Sequence, residues 1–151
     1  MVFNNLNEIY ASLEKLTPYI AQECGEAVGK ILHEESKNIY KEYIPSNPKV
    51  VAQRRYDNEG FADKRNIKVF TPVVKGLKCS ISVRNIAKAR GSDKGKDLDR
   101  FIEYGIYNSP NVPARPAYER TKRRIVKEKI IQKAINKALA DKGWIWLKEL
   151  I

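Results

Sequence analysis

The stretch Leu77-Lys78-Cys79-Ser80-Ile81-Ser82-Val83-Arg84 decides how the rest of the chain is read. Apolar and polar residues alternate across it, and successive side chains of an extended strand point to opposite faces. The pattern predicts a strand with one face on a core and the other in water. Gly76, just before it, marks a turn. Upstream, Ile67, Val69 and Phe70 predict a short strand over residues 66–71. Downstream, residues 99–106, DRFIEYGI, read as a further strand. There Phe101, Glu103 and Gly105 would share one face, and Ile102, Tyr104 and Ile106 the other. Short turns between such strands imply an antiparallel sheet.

Helical patterns flank this sheet. Leu6, Ile9, Leu13 and Leu16 are spaced three or four apart and define one face of a helix. Thr17-Pro18 predicts a break or kink, with Thr17 as N-cap and Pro18 as first residue of a second helix. Ile20, Cys24, Ala27, Val28, Ile31, Leu32, Ile39 and Tyr43 form the apolar stripe of that longer helix, which Pro45 stops. At the other end, residues 108–116, NSPNVPARP, contain three prolines and exclude both helix and ladder. Pro116 suits the first turn of a final helix reaching about residue 140, ended by Gly143. The fold class expected is α+β: N-terminal helices, a small antiparallel sheet of three to four strands, and a long C-terminal helix packed on the sheet. One domain is expected over residues 1–151, with flexible loops near 45–65 and 86–97.

The 151 residues, 42% hydrophobic and 31% charged, suit one core and a soluble surface. A net charge of +11 favours anionic partners, although basic surface faces that only confer solubility remain the alternative. Cys24 and Cys79 make neither a disulfide framework nor zinc spacing, and their apolar neighbours predict buried, reduced thiols. The N-terminus lacks signal-peptide character, and no stretch approaches a membrane span. The expectation is a protein made in, and kept by, a reducing cytoplasm, with no membrane partner.

Catalytic constellations are missing from the pattern. The one histidine, His33, sits beside Glu34 and Glu35, which point apart on a helix; a solvated surface position is expected. Gly91, Gly95 and Lys96 do not form a phosphate loop. Asp97 and Asp99 lie among Lys94, Lys96 and Arg100, an ordinary surface charge pattern. No enzyme activity, cofactor or metal is therefore expected.

Two basic segments stand out. In the final helix Lys122, Lys129, Lys133 and Lys137 fall near one another, opposite Ile131, Ile135 and Ala138. They read either as a stripe for phosphates or as a solvated helix face. The 84–96 loop carries Arg84, Lys88, Arg90, Lys94 and Lys96 and reads as a basic finger or as a plain loop.

Three segments in order carry a resemblance: SKNIYKEYIP followed by GLKCSISV, then FIEYGIYN, then NVPARPAYERTKRRIVKEKI. Together they resemble the tail-completion, or neck, minor structural proteins of tailed bacteriophages, over roughly residues 20–140. The sharpest points are Glu103-Tyr104-Gly105 and Pro113-Ala114-Arg115-Pro116. Lys75-Gly76 stands where that family often has Thr-Gly, and segment 45–65 is longer than its pattern. The two prolines aim Arg115 in a fixed direction, where it can pair with a carboxylate; Glu103 is the first candidate partner.

The resemblance implies a non-catalytic virion subunit at the head-proximal end of a phage or phage-derived tail. It implies a homo-oligomeric ring around the DNA channel, partnered by other tail or neck proteins. The expected subunit contacts are Glu103, Tyr104, Arg115 and the apolar tail with Trp144, Trp146 and Leu147. The basic residues Arg84, Lys88, Arg90, Lys94, Lys96, Lys122, Lys129 and Lys133 would face the lumen and its DNA. The alternative is a nucleic-acid-binding protein that uses the final helix and the 84–96 loop.

Overall fold

The computed structural model describes residues 5–42, 60–88, 95–104 and 115–144. Its spine is helix α1, Leu6–Glu42, which at 1.5 Å per residue runs about 55 Å. The break expected at Thr17-Pro18 does not occur. Pro18 lies inside the helix, and Thr17 is no N-cap: its hydroxyl donates back to the Leu13 carbonyl at 2.9 Å. Proline removes one intrahelical bond, and the tertiary contacts on both sides of α1 outweigh that loss.

A β-hairpin lies along one side of α1. Strands β1 (Ile67–Val69) and β4 (Val83–Asn85) pair antiparallel, as do β2 (Val73–Lys75) and β3 (Lys78–Ser80). The alternation over 77–84 therefore belongs to two short strands in two two-stranded sheets, not to one continuous strand. The register explains the interruption. Val69 faces Val83 and Val73 faces Ser80, so residues 70–72 lie opposite residues 81–82 alone. One extra residue on one side is a β-bulge. It contains Pro72, which has no N–H to give a ladder, while the Phe70 N–H still reaches the Ser82 carbonyl at 2.9 Å. Gly76 makes the turn as expected, with φ +58°. Leu77 has no positive φ, so the two-residue loop has the φ pattern of a type II′ turn.

Contact between hairpin and helix depends on small residues. Thr17, Ala21, Gly25 and Gly29 recur every four positions and are all buried. A Cβ on Gly25 would stand 2.7 Å from Val69 Cγ1 and closer still to Ile81 Cδ1. At Gly29 the space is ordinary, with Val69 Cγ2 at 3.4 Å and Ile67 Cγ2 at 3.5 Å.

The strand expected over 99–106 is a helix instead: α2, Leu98–Tyr104. Its periodicity was ambiguous because Leu98 and Ile102, four apart, both pack on the core formed by Leu32, Ile39, Phe61 and Ala117. Only the three-dimensional setting separates a short helix from a short strand of this kind. Residues 105 and 106 lie outside the described residues.

The expected final helix is two helices, α3 (Ala117–Lys127) and α4 (Ile130–Asp141). The break falls at Lys129, which adopts the left-handed conformation at φ 52° and ψ 40°. Both helices pack chiefly on α1, with Tyr118 reaching across to the hairpin. Gly143 ends α4 as expected: its N–H bonds to Ala140 and the Trp144 N–H to Leu139, a Schellman closure. The mixed α+β class thus stands, with α1 as the platform for both the hairpin and the C-terminal helices.

Candidate interaction surface

Two ion-pair systems decide which charged side chains remain for a partner. The first ties the C-terminal segment to α1. Arg120 grips Glu42 through both nitrogens, at 2.5 and 3.0 Å. Arg115 Nε lies 3.5 Å from the same carboxylate, and its Nη2 donates to the Glu42 carbonyl at 3.3 Å. Arg115 thus satisfies an orphan carbonyl at the C-terminus of α1, where positive charge also suits the helix dipole. Its backbone N–H bonds to the Ile102 carbonyl at 2.7 Å, joining α2 to the same corner. The hydrogen bonds from Arg120, more than its charge alone, hold the Glu42 carboxyl below the usual range.

One turn further along, Arg124 meets Glu128 at 2.7 Å, Glu34 at 2.7 Å and Glu35 at 3.2 Å. These carboxylates push the guanidinium pKa upward. Lys137 reaches Glu23 at 3.6 Å. The arginines of the basic helix that look inward are therefore matched to glutamates of α1.

The second system surrounds Tyr118. Burial, reinforced by Asp99, pushes its phenol up to about 12. Its hydroxyl donates to Asp99 Oδ2 at 2.8 Å and accepts the Asn85 N–H at 3.2 Å. Arg84 Nη2 donates to the same Asp99 oxygen at 3.2 Å. Asp99 is buried, so the surface position expected for it is wrong. Asn85 is buried as well; its amide donates to the Phe61 carbonyl at 2.6 Å and its Oδ1 accepts the Ala87 N–H at 3.0 Å. Asp97 remains near the surface, paired with Lys88, whose hydrogen bond lowers the Asp97 pKa, and 3.8 Å from Arg84.

Glu103 is used differently from the expectation. It accepts the Tyr118 N–H at 2.9 Å, capping the first turn of α3 with negative charge. Arg115 instead meets Glu42. Asp99 and Glu103 stand four apart on α2 and both address Tyr118. On a strand these two carboxylates would share a face but stand about 13 Å apart, at about 3.3 Å per residue. The helix brings them to about 6 Å, close enough for both to address one residue.

The other expected site residues are distributed as follows. Tyr104 is 79% exposed at the end of α2. Trp144 is half-buried after α4. Trp146, Leu147, Arg90 and Lys94 lie outside the described residues, as do Pro113 and Ala114. Lys88 and Lys96 are exposed at the two ends of the 89–94 segment. Lys122, Lys129 and Lys133 are exposed, but the bend at Lys129 divides the expected stripe between two helices. Val126, on α3, is 72% exposed beside Lys122 and Arg123. His33 is not a solvated surface group: its Nε2 lies 3.0 Å from the Ala62 carbonyl and holds the turn before β1. Cys24 is buried as expected, whereas Cys79 is exposed.

Among the described residues there is no cluster of three or more potential metal ligands, and no helix is long and apolar enough to cross a membrane. The fold and its ion-pair architecture describe a small α+β protein with a basic exterior. Comparison with protein families gives a match over residues 5–141, and the chain belongs to the YomN family, a Bacillus phage-region family, which makes it a phage-related protein. No curated protein and no solved structure matches the chain.

Proposed function

We propose that this protein is a non-catalytic structural subunit of a phage or phage-derived tail, placed at the head-proximal end. There it completes the tail for joining to the head, as a homo-oligomeric ring around the DNA channel. The observation that carries this reading is the sorting of charge. Glu34, Glu35, Glu42, Asp97 and Asp99 are taken up by pairs within the chain. Lys122, Lys127, Lys129 and Lys133 face outward and have no carboxylate partner among the described residues. A surface left positive in this way suits the lining of a channel that passes polyanionic DNA. Exposed Tyr104 and Val126 supply apolar points for subunit contact. Membership of a phage-region family and the resemblance over residues 20–140 support the same reading.

Purified particles provide the test. The reading expects the chain in stoichiometric amount in tails, by mass spectrometry and by antibody labelling at the head-proximal end. Light scattering at low and high salt, with and without a short duplex, adds the assembly state. A ring-sized species that persists in high salt supports it. Absence from particles, together with a monomer that binds duplex and releases it as salt rises, replaces it with the nucleic-acid-binding reading.

A further inference from the structure

The hairpin has an outer face that folding alone does not explain. Its inner side chains, Ile67, Val69, Val74, Ile81 and Val83, are half-buried towards α1, while Lys68, Phe70, Val73, Lys75, Lys78, Ser80, Ser82 and Arg84 are exposed. The register places like charges directly across from each other at both ends of this ribbon: Lys68 opposite Arg84, and Lys75 opposite Lys78. Like charges in direct cross-strand pairs are destabilising. Arg84 is relieved by Asp99 and Asp97. Lys68, Lys75 and Lys78 have no carboxylate partner among the described residues.

We infer that the outer face of this hairpin is a binding surface for the phosphate backbone of double-stranded DNA, separate from the C-terminal helices. Charge complementarity identifies the occupant: the repulsion between Lys75 and Lys78 is relieved when each meets a phosphate, and counterions released from the DNA add to the binding. Shape agrees. A two-stranded β-ribbon fits the major groove of B-DNA. From Lys68 to Lys75 the ribbon spans roughly 23 Å at 3.3 Å per residue, about seven base pairs of duplex. Between the two basic ends, Phe70, Val73, Ser80 and Ser82 offer small apolar and hydroxyl contacts. The lysines meet phosphates, contacts that carry no sequence information, so the binding is independent of sequence.

The experiment measures duplex affinity of the full chain by fluorescence anisotropy, from 50 to 200 mM salt, for the wild type and two triple variants. Lys68→Gln/Lys75→Gln/Lys78→Gln removes the hairpin charges. Lys122→Gln/Lys129→Gln/Lys133→Gln removes the charges that the proposed channel lining uses. The hairpin variant is expected to bind at least tenfold more weakly at low salt and to lose about two to three units of the log–log salt slope, near 0.9 for each phosphate contact. It is also expected to melt at or above the wild-type temperature, because a like-charge pair has been relieved; weakened binding then reflects lost contacts, not unfolding. Three results overturn the inference: no duplex binding by the wild type, an unchanged slope in the hairpin variant, or loss confined to the helix variant. A hairpin variant that loses binding to a polyglutamate probe while keeping its DNA affinity overturns it too, in favour of an acidic protein partner. Failure here leaves the tail assignment untouched, since that is tested separately, by whether the chain is present in particles.

Discussion

The hydroxyl of Tyr118 donates to Asp99 at 2.8 Å and accepts the backbone N–H of Asn85 at 3.2 Å, so one oxygen joins α3, α2 and β4. Tyr118→Phe removes a donor to a buried carboxylate and an acceptor for a backbone N–H. Unfolding in urea is expected to show a loss of about 1–3 kcal/mol, the usual cost of stranding buried polar groups.

The same phenol sets an alkaline limit. Its folded pKa is raised from 10.0 to about 12, so the native state keeps a proton that the unfolded chain releases. Its stabilisation is fully present below about pH 10 and is lost as pH rises towards about 12. Denaturation at several alkaline pH values is expected to show a steep fall in wild-type stability through this window, and a shallower one in Tyr118→Phe.

Glu42 sets an acid limit with the opposite sign. Its folded pKa is lowered, first by the Arg120 hydrogen bonds, so its contribution holds above the ordinary glutamate range near about 4.3. That contribution disappears as pH falls through the lowered folded value. Glu42→Gln is expected to be less stable than wild type at neutral pH, and the gap between them is expected to close as pH falls below the ordinary glutamate range.

The two helix glycines separate cleanly. Gly25→Ala pushes a methyl into Val69 and Ile81, and overpacking of this kind costs about 1–3 kcal/mol. Gly29→Ala meets side chains at ordinary contact distance and gains up to about 1 kcal/mol of helix propensity. Thermal melts are expected to move in opposite directions, or down at Gly25 with no change at Gly29.

Lys129 carries positive φ without being glycine. The left-handed region costs a side-chain-bearing residue roughly 1–2 kcal/mol, a cost that glycine escapes. Lys129→Gly is expected to raise the melting temperature by a few degrees, and Lys129→Val to lower it. If Lys129→Gly lowers it, the bend between α3 and α4 is not held in this conformation.

Local chemistry made part of this protein readable from its sequence. Gly76 and Gly143 mark turns because few other residues adopt positive φ. The apolar stripe of α1 and the alternation around Ile81 and Val83 follow from the two backbone periodicities. The Pro-Ala-Arg-Pro segment singled out Arg115, and the fold pairs it with Glu42, a carboxylate the local sequence does not indicate. The recurrence of Thr17, Ala21, Gly25 and Gly29 was equally visible, and it marks the groove where the hairpin lies.

Tertiary structure decided what depends on residues distant in sequence. Packing on both sides of α1 carries the helix through Pro18. The core that takes Leu98 and Ile102 makes α2 a helix, and that in turn aims Asp99 and Glu103 at Tyr118. Charge shows the difference most plainly. Residue composition makes the chain strongly basic, a sum that no fold alters. Which cations remain for a partner is a matter of distance. Coulomb energy falls with separation, and a carboxylate from 70 or more residues away quenches Arg115, Arg120 and Arg124 only because the fold brings it within about 4 Å.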